Sequence, residues 1–341
     1  MKEILSYTQD ELKEEFKLKG LPAFRANQLY TALLQGKTAD KITTLPKSLI
    51  SDLEKEFVLS PLTLISEQIS SDGTVKFAFG LSDKNIIEAV LMKYKYGYTL
   101  CISTQVGCRM GCCFCASGMN GLVRDLTAGE ILSEVVFANA YLGGDVKERK
   151  ITNLVLMGCG EPLDNYENVT KFIDILTKEF NFSQRNISLS TCGLVKNIYR
   201  LTDDGYKLTL TISLHAPTDN LRKKIMKVAH SYTIEEVLKA AEYYNEKTGR
   251  RIVFEYSLIE GINSSFDCCD KLIELFKHKC VHINVINLNK VEGKEYSGVT
   301  KKQAYAFVDR LNKGGVSATL RRTLGEDIDG ACGQLRRKLM K

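Results

Sequence analysis

No run of roughly 18 apolar residues occurs in this chain, so no segment is expected to cross a membrane as a helix. Its opening residues, Met1-Lys2-Glu3-Ile4, lack the apolar stretch of a secretory leader, and the expected compartment is the reducing cytoplasm. Tryptophan is absent, and no low-complexity tract or internal repeat is evident. Charge of neither sign is scarce: 47 basic residues face 41 acidic ones, a net of +6. That mild excess permits RNA binding without demanding it. The basic residues cluster at Arg222-Lys223-Lys224 with Lys227, at Arg321-Arg322, and at Arg336-Arg337-Lys338 with Lys341. Taken singly each cluster reads as a solvated face, and phosphate contact becomes the better reading only for a nucleic-acid substrate. With 341 residues the chain can bury a large core, and one large domain plus a small one is the natural division.

What the chain has in excess is cysteine. There are eleven, and five lie between Cys101 and Cys115. Without an export signal, such clustering points to metal or catalytic use before structural disulfides. Within Cys108-Arg109-Met110-Gly111-Cys112-Cys113-Phe114-Cys115, the spacing Cys108-x3-Cys112-x2-Cys115 places three thiols in eight residues. A structural zinc site takes four protein ligands and is closed, and no fourth ligand lies nearby. Three soft thiolates suit a [4Fe-4S] cluster whose fourth iron stays open for a substrate. A shifted register through Cys113 would leave the poorer spacing Cys-x-Cys.

The first 60 residues read as a small helical unit. Thr8-x-x-Glu11 is a capping box, with Leu12, Phe16 and Leu18 following before Gly20. Phe24 to Leu34 repeats the pattern, and Pro46 opens a third helix carrying Leu49, Ile50, Leu53 and Phe57. From Leu62 to Met92 the period changes to two, with Val75, Phe77 and Phe79 alternating, and a β-hairpin turning at Ser82-Asp83-Lys84-Asn85 is expected. Strand candidates then run 99–106, 151–157, 186–191, 208–214, 252–258 and 281–288, with a last one near 316–320. Helical patterns lie between them: one opened by the capping box Thr127-Ala128-Gly129-Glu130, others at 166–179, 233–246, 266–278 and 301–312. Repeated βα units mean a parallel sheet. Six units plus one strand predict an α/β fold, a partial (β/α)6 barrel with an extra C-terminal strand and a small N-terminal helical and hairpin accessory domain.

In parallel barrels the site gathers at the carboxyl ends of the strands. Cys108, the turn Gly158-Cys159-Gly160-Glu161-Pro162, Ser190, Ser213-Leu214-His215 and Asn287-Leu288-Asn289 all fall there. Glycines at 158 and 160 let backbone approach a ligand, and the Glu161 carboxylate could accept from a ligand ammonium, although a plain strand-to-helix turn would look the same. A lone histidine such as His215 is more often a hydrogen-bonded core residue than a ligand, but its company at the rim favours the site. Glu88, inside the apolar run 86–90, would be explained by an outward-facing strand position as readily as by a function. Cys101 and Cys332 taken alone would be inert buried thiols.

Together the motifs are recognisable. Gly107-Cys108-x3-Cys112-x2-Cys115, Gly160-Glu161-Pro162, Ser213-Leu214-His215-Ala216-Pro217 and Asp327-Ile328-Asp329-Gly330-Ala331-Cys332-Gly333-Gln334-Leu335 resemble, in order and across most of the chain, the RlmN/Cfr family of radical S-adenosylmethionine (SAM) RNA methyltransferases. The resemblance implies that Cys108, Cys112 and Cys115 hold the cluster, and that Gly160, Glu161, Ser190, Ser213, Leu214, His215 and Asn289 line the pocket of SAM, used twice per turnover. It implies that Cys332 is methylated and then carries the methyl carbon, that Glu88 is the proton acceptor, and that Cys101 is the resolving thiol, forming a transient disulfide with Cys332. The accessory domain would span 1–93 and bind RNA, the radical SAM core 94–327, and the carrier segment 328–341. The implied partners are 23S rRNA, tRNA and an electron donor such as flavodoxin or ferredoxin, with no membrane and a monomeric chain.

The RlmN branch methylates C2 of an adenosine in 23S rRNA and often an anticodon-loop adenosine of tRNA, whereas the Cfr branch targets C8 of the rRNA adenosine. Gly160-Glu161-Pro162 with Asn165 resembles the RlmN form, since Cfr-type sequences tend to have Ala at Pro162. Cys159, where the family usually has Met, and Lys290, where Pro is common, depart from the pattern. Competing readings are C8 methylation, a radical SAM enzyme acting on a protein, such as a glycyl-radical activase, and a zinc-held binding module. The second would leave Cys101 and Cys332 without purpose.

Overall fold

The computed structural model describes residues 1–289, 293, 295–325, 327–330 and 333–339. Cys332, the expected methyl carrier, and Lys290 lie outside the described residues. At the N-terminus three helices, Gln9–Leu18, Ala23–Leu34 and Lys47–Glu54, bury Leu12, Phe16, Leu29, Leu33, Ile50 and Leu53 in the main hydrophobic core. The first is closed by the expected capping box, in which the Glu11 N–H donates to Thr8 Oγ1 (3.2 Å) and the Thr8 N–H to Glu11 Oε2 (2.7 Å). This unit docks on the helix Ala128–Tyr141, where Ser6 Oγ accepts from the Gly129 N–H at 2.9 Å. Any side chain at Gly129 would collide there, because its Cβ would lie 2.6 Å from Ser6 Oγ.

A single ten-stranded sheet carries the rest. Its order runs Ala318–Leu320, Val281–Asn287, Ile252–Leu258, Thr209–Ser213, Ile187–Thr191, Ile151–Leu156, Gly97–Cys101, Ile86–Tyr94, Val75–Leu81 and Leu62–Ile69. The first seven strands pair in parallel, as the βα alternation predicts, and the last three are antiparallel. The hairpin strands therefore extend the barrel sheet through the Ile86–Tyr94 pairing to Gly97–Cys101.

Three local departures matter. The strand expected over 99–106 ends at Cys101, because the N–H groups of Thr104 and Gln105 both turn to the Cys159 carbonyl (2.8 and 3.0 Å). Gln105–Gly107 instead pairs antiparallel with Leu122–Asp125. Two helices were not anticipated, Val195–Asp203 and Asp219–Ile225. The third departure is in Val75–Leu81, where Val75, Lys76, Phe77, Ala78 and Phe79 are all buried rather than alternately so. One face packs Phe77 and Phe79 on Phe137, with ring centroids 5.4 and 4.9 Å apart. The other meets the C-terminal segment through Lys76, whose Nζ donates to the Asp329 carbonyl.

Candidate active site

The cysteine loop leaves the barrel after Gln105–Gly107 and is shaped by glycine. Gly107 sits at φ +84°, and a Cβ there would lie 2.0 Å from the Gly121 carbonyl, a conformation and a space that only glycine tolerates. The Cys108 N–H donates to that same carbonyl (3.0 Å), and the Cys113 N–H to Ile225 O (3.0 Å). Cys108 is buried, and Cys112, Cys113 and Cys115 are half-buried. Burial, reinforced by Cys115 and Glu161, pushes the Cys108 thiol up to about 12. Burial, then Cys115 and Cys108, pushes Cys112 up as well.

The opposition to ionisation at Cys108 and Cys112 would be relieved by a cationic centre, which binds thiolate and releases the protons. Among the described residues no three His, Cys, Asp or Glu side chains are placed to hold a single metal ion. A four-iron cube is gripped at separate corners, so the donor set on this loop fits such a cluster by its chemistry: soft, uncrossed by disulfides and three in number.

Around the loop stands the rim. Gly160 has φ +118°, and a Cβ there would meet Thr104 Oγ1 at 2.7 Å. The buried Glu161 carboxylate accepts from the backbone N–H of Leu163 (3.1 Å) and of Cys192 (2.7 Å), and burial raises its pKa. Ser190 Oγ donates to Glu255 Oε2 at 3.3 Å. Among the described residues Glu255 Oε1 is buried without a hydrogen bond, and Arg321 Nη1 stands 3.7 Å from it. This is an ion-pair distance too long for a hydrogen bond.

His215 is both a satisfied core residue and a rim residue. It holds a left-handed backbone, φ +56°. Its Nδ1 accepts from the Ser257 N–H (2.9 Å), and its carbonyl accepts from Asn263 Nδ2 (2.7 Å). Burial, with Arg222 adding, lowers it to about 3. The ring is therefore neutral with its Nε2–H as donor, and it packs edge-on against Phe114 of the cysteine loop, centroids 5.0 Å apart. Ser213 and Leu214 present their carbonyls to Arg222, which is fully buried and donates to Leu214 O (3.3 Å), Cys192 O (2.7 Å), Ser213 O (3.4 Å) and Tyr232 O (3.4 Å).

Beside the loop a cavity of about 270 Å³ opens, walled by Cys101, Cys115, Met157, Asn289, Arg321 and Gly330 among others. It places Cys101, Cys115 of the cysteine loop and Asn289 on one wall. Gly160, Glu161, Ser190, Ser213, Leu214 and His215 stand outside its wall. Glu88 does not face outward: it is buried, and its position on the strand Ile86–Tyr94 faces the C-terminal segment. Its Oε2 accepts from the Gly333 N–H (2.6 Å) and lies 3.1 Å from Lys76 Nζ, and its Oε1 accepts from the Arg336 N–H (2.5 Å). Gly333 also approaches the cysteine loop, since a Cβ there would lie 3.2 Å from Ala116 Cβ. Residues on either side of position 332 thus touch the cavity, the loop and Glu88. Among the described residues no disulfide is present, so a resident disulfide is not supported.

Sequence reasoning missed Lys76, Arg222, Glu255 and Asn263. Arg222 sat in a run that read as a solvated face. Nothing local distinguishes it from Lys223 and Lys224, because its partners are carbonyls on other elements.

Comparison with known proteins gives a consistent picture. A family model described as the radical SAM superfamily matches residues 102–276. A protein of Clostridium perfringens named "Probable dual-specificity RNA methyltransferase RlmN" is 48% identical over 346 residues, covering 100% of this chain and 98% of its own length. A relative of the same name from Lachnospira eligens is 46% identical, covering 100% and 97%. The crystal structure of a radical SAM methyltransferase from Sphaerobacter thermophilus, 39% identical, matches with a TM-score of 0.93 and covers 98% of this chain and 99% of that one.

Proposed function

Because the chain belongs to the RlmN family of radical SAM RNA methyltransferases, we propose that it methylates C2 of an adenosine in 23S rRNA, and an anticodon-loop adenosine in tRNA, through a methyl-cysteine at Cys332. Cys108, Cys112 and Cys115 hold the [4Fe-4S] cluster, and Gly160, Glu161, Ser190, Ser213, Leu214, His215 and Asn289 form the SAM site. When bound, the cluster supplies the electron that cleaves SAM, and SAM supplies the methyl group and the radical. The chain's own residues do the rest. C2 of adenine is electron-poor and cannot attack an electrophilic methyl group, whereas a thiolate at Cys332 can accept one. Once the carbon carried on Cys332 is joined to C2, Glu88 takes the C2 proton. Cys101 would then attack the sulfur of Cys332 as the S–C bond breaks. The electron pair of that bond stays on the freed carbon, which takes up a proton to become the methyl group. The one surplus electron would be accepted by the cluster, and the two joined sulfurs must be separated by a reductant.

One observation carries this reading. The Glu88 carboxylate holds the amides of Gly333 and Arg336, while Cys101 and Cys115 share one cavity wall with Gly330. Base, resolving thiol, cluster loop and the flanks of the carrier position are thus neighbours. Residues 1–93 act as the accessory RNA-binding part, 94–327 as the core and 328–341 as the carrier segment, with flavodoxin or ferredoxin as donor and a monomeric, cytoplasmic enzyme. The test is mass spectrometry of 23S rRNA and tRNA from cells lacking the protein. Loss of 2-methyladenosine is expected, and loss of 8-methyladenosine instead would transfer the assignment to C8.

A further inference from the structure

Lys76 is a fully buried cation that the reaction described above does not use. It lies on the hairpin strand Val75–Leu81 with no solvent exposure. Burying an ammonium without compensation is very costly, so its partners indicate what it is for. They include Glu88 Oε2 at 3.1 Å and the backbone carbonyl of Asp329 at 2.6 Å. Both belong to the hold on one short stretch of chain.

The same hairpin grips that stretch repeatedly. Gln68 receives the Asp329 N–H on Oε1 (2.9 Å) and donates from Nε2 to Asp329 Oδ2 (3.0 Å). The Ser71 N–H donates to Asp327 Oδ2 (2.9 Å), Ser70 Oγ donates to Asp327 Oδ1, and Asp72 Oδ2 accepts from the Gly325 N–H (2.9 Å). Beyond position 332, the Glu88 carboxylate takes over with Gly333 and Arg336. Every one of these bonds spans some 245 to 261 residues of sequence.

The geometry points to Lys76 as a positioning residue: bridging Glu88 to the Asp329 backbone, it sets the carrier segment in one place relative to the cavity walled by Cys101 and Cys115. This rests on the methyl-carrier reading of Cys332. It gives the antiparallel hairpin a role inside the reaction as well as at the RNA surface. Lys76 acts on both sides of the carrier: through Asp329 it holds the chain before position 332, and through Glu88 it orients the acceptor of the two amides after it.

The test compares reconstituted full-length Lys76→Met with Lys76→Arg and the unaltered chain, by amide hydrogen exchange and by RNA methylation kinetics. In Lys76→Met, exchange at the amides of Asp329, Gly333 and Arg336 is expected to rise about tenfold or more, from loss of a hydrogen bond to a charged group. The amides of the strand Ile252–Leu258 stay protected. The kcat for RNA methylation falls about tenfold with KM for RNA unchanged, and Lys76→Arg recovers part of both. Unchanged exchange at those three amides overturns the proposal, as does raised exchange with an unchanged kcat. Should Lys76→Met fail to fold, Gln68→Ala loosens the same segment from the half-exposed side and must raise exchange at Asp329 and lower kcat. Glu88→Gln separates this claim from the base assignment. If that variant keeps its kcat, Glu88 is not the proton acceptor, while the exchange result in Lys76→Met still decides the role of Lys76.

Discussion

The cysteine loop and the C-terminal segment lie side by side, yet they are held by opposite means. The loop is shaped locally, by Gly107 at a position closed to any Cβ and by a backbone bond from Cys108 to Gly121. The segment is shaped at long range, by Lys76, Glu88, Gln68 and Asp72 reaching it from the hairpin. A locally fixed loop suits the proposed role of its three cysteines as cluster ligands. A segment held by polar bonds from a distant hairpin suits the proposed carrier, because the hairpin then decides where it stands.

The largest effect should come from the local side. Cys112→Ala removes one of three soft ligands, and the anaerobically reconstituted protein is expected to lose essentially all iron and sulfide, measured by chemical analysis. Retention of the unaltered iron content would break the assignment of the loop.

Next comes the long-range side. Glu88→Gln leaves the buried Lys76 ammonium facing a neutral amide, and breaking such a pair costs about 3 kcal/mol or more. Urea unfolding measures this, and an unchanged midpoint would mean that the two groups do not depend on each other.

A third, smaller effect concerns His215, which belongs to the rim. Its folded pKa of about 3 lies below the ordinary 6.5, so the unfolded chain binds the extra proton between those values. The stabilisation is complete above pH 6.5 and is lost as pH falls through that window. Between pH 7 and pH 5 the apo protein should lose about 2 kcal/mol that His215→Gln does not lose. Parallel losses in both proteins would contradict a neutral, buried ring.

The smallest effect is expected in the N-terminal helical unit. Thr8→Ala removes a helix cap and should cost about 1 kcal/mol with methylation unaltered. A large loss of activity would show the helical unit to be coupled to the site.

What was legible in the sequence follows the same division. Capping boxes at Thr8 and Thr127, the strand Ile252–Leu258 and the helix Tyr166–Glu179 stand where local pattern placed them, because their causes lie within a few residues. The cysteine spacing was legible for the same reason. The end of the first barrel strand at Cys101 was not, since the Cys159 carbonyl that diverts the chain comes from another turn. Lys76 and Glu88 read as polar positions on half-exposed strands, and only the C-terminal segment, more than 240 residues away, covers them. Arg222, Arg321 and Arg336 each stood in a basic cluster, yet Arg222 braces rim carbonyls, Arg321 approaches Glu255, and Arg336 is buried beside Cys159. Side chains recruited by distant backbone leave no periodic trace.

The central claim is most directly tested by peptide mass spectrometry of Cys332 in anaerobically handled protein, before and after a single turnover with RNA. A methyl group on that sulfur before turnover, and its carbon on adenosine afterwards, is the predicted result. A bare Cys332 thiol throughout, in a preparation that still methylates RNA, would contradict it.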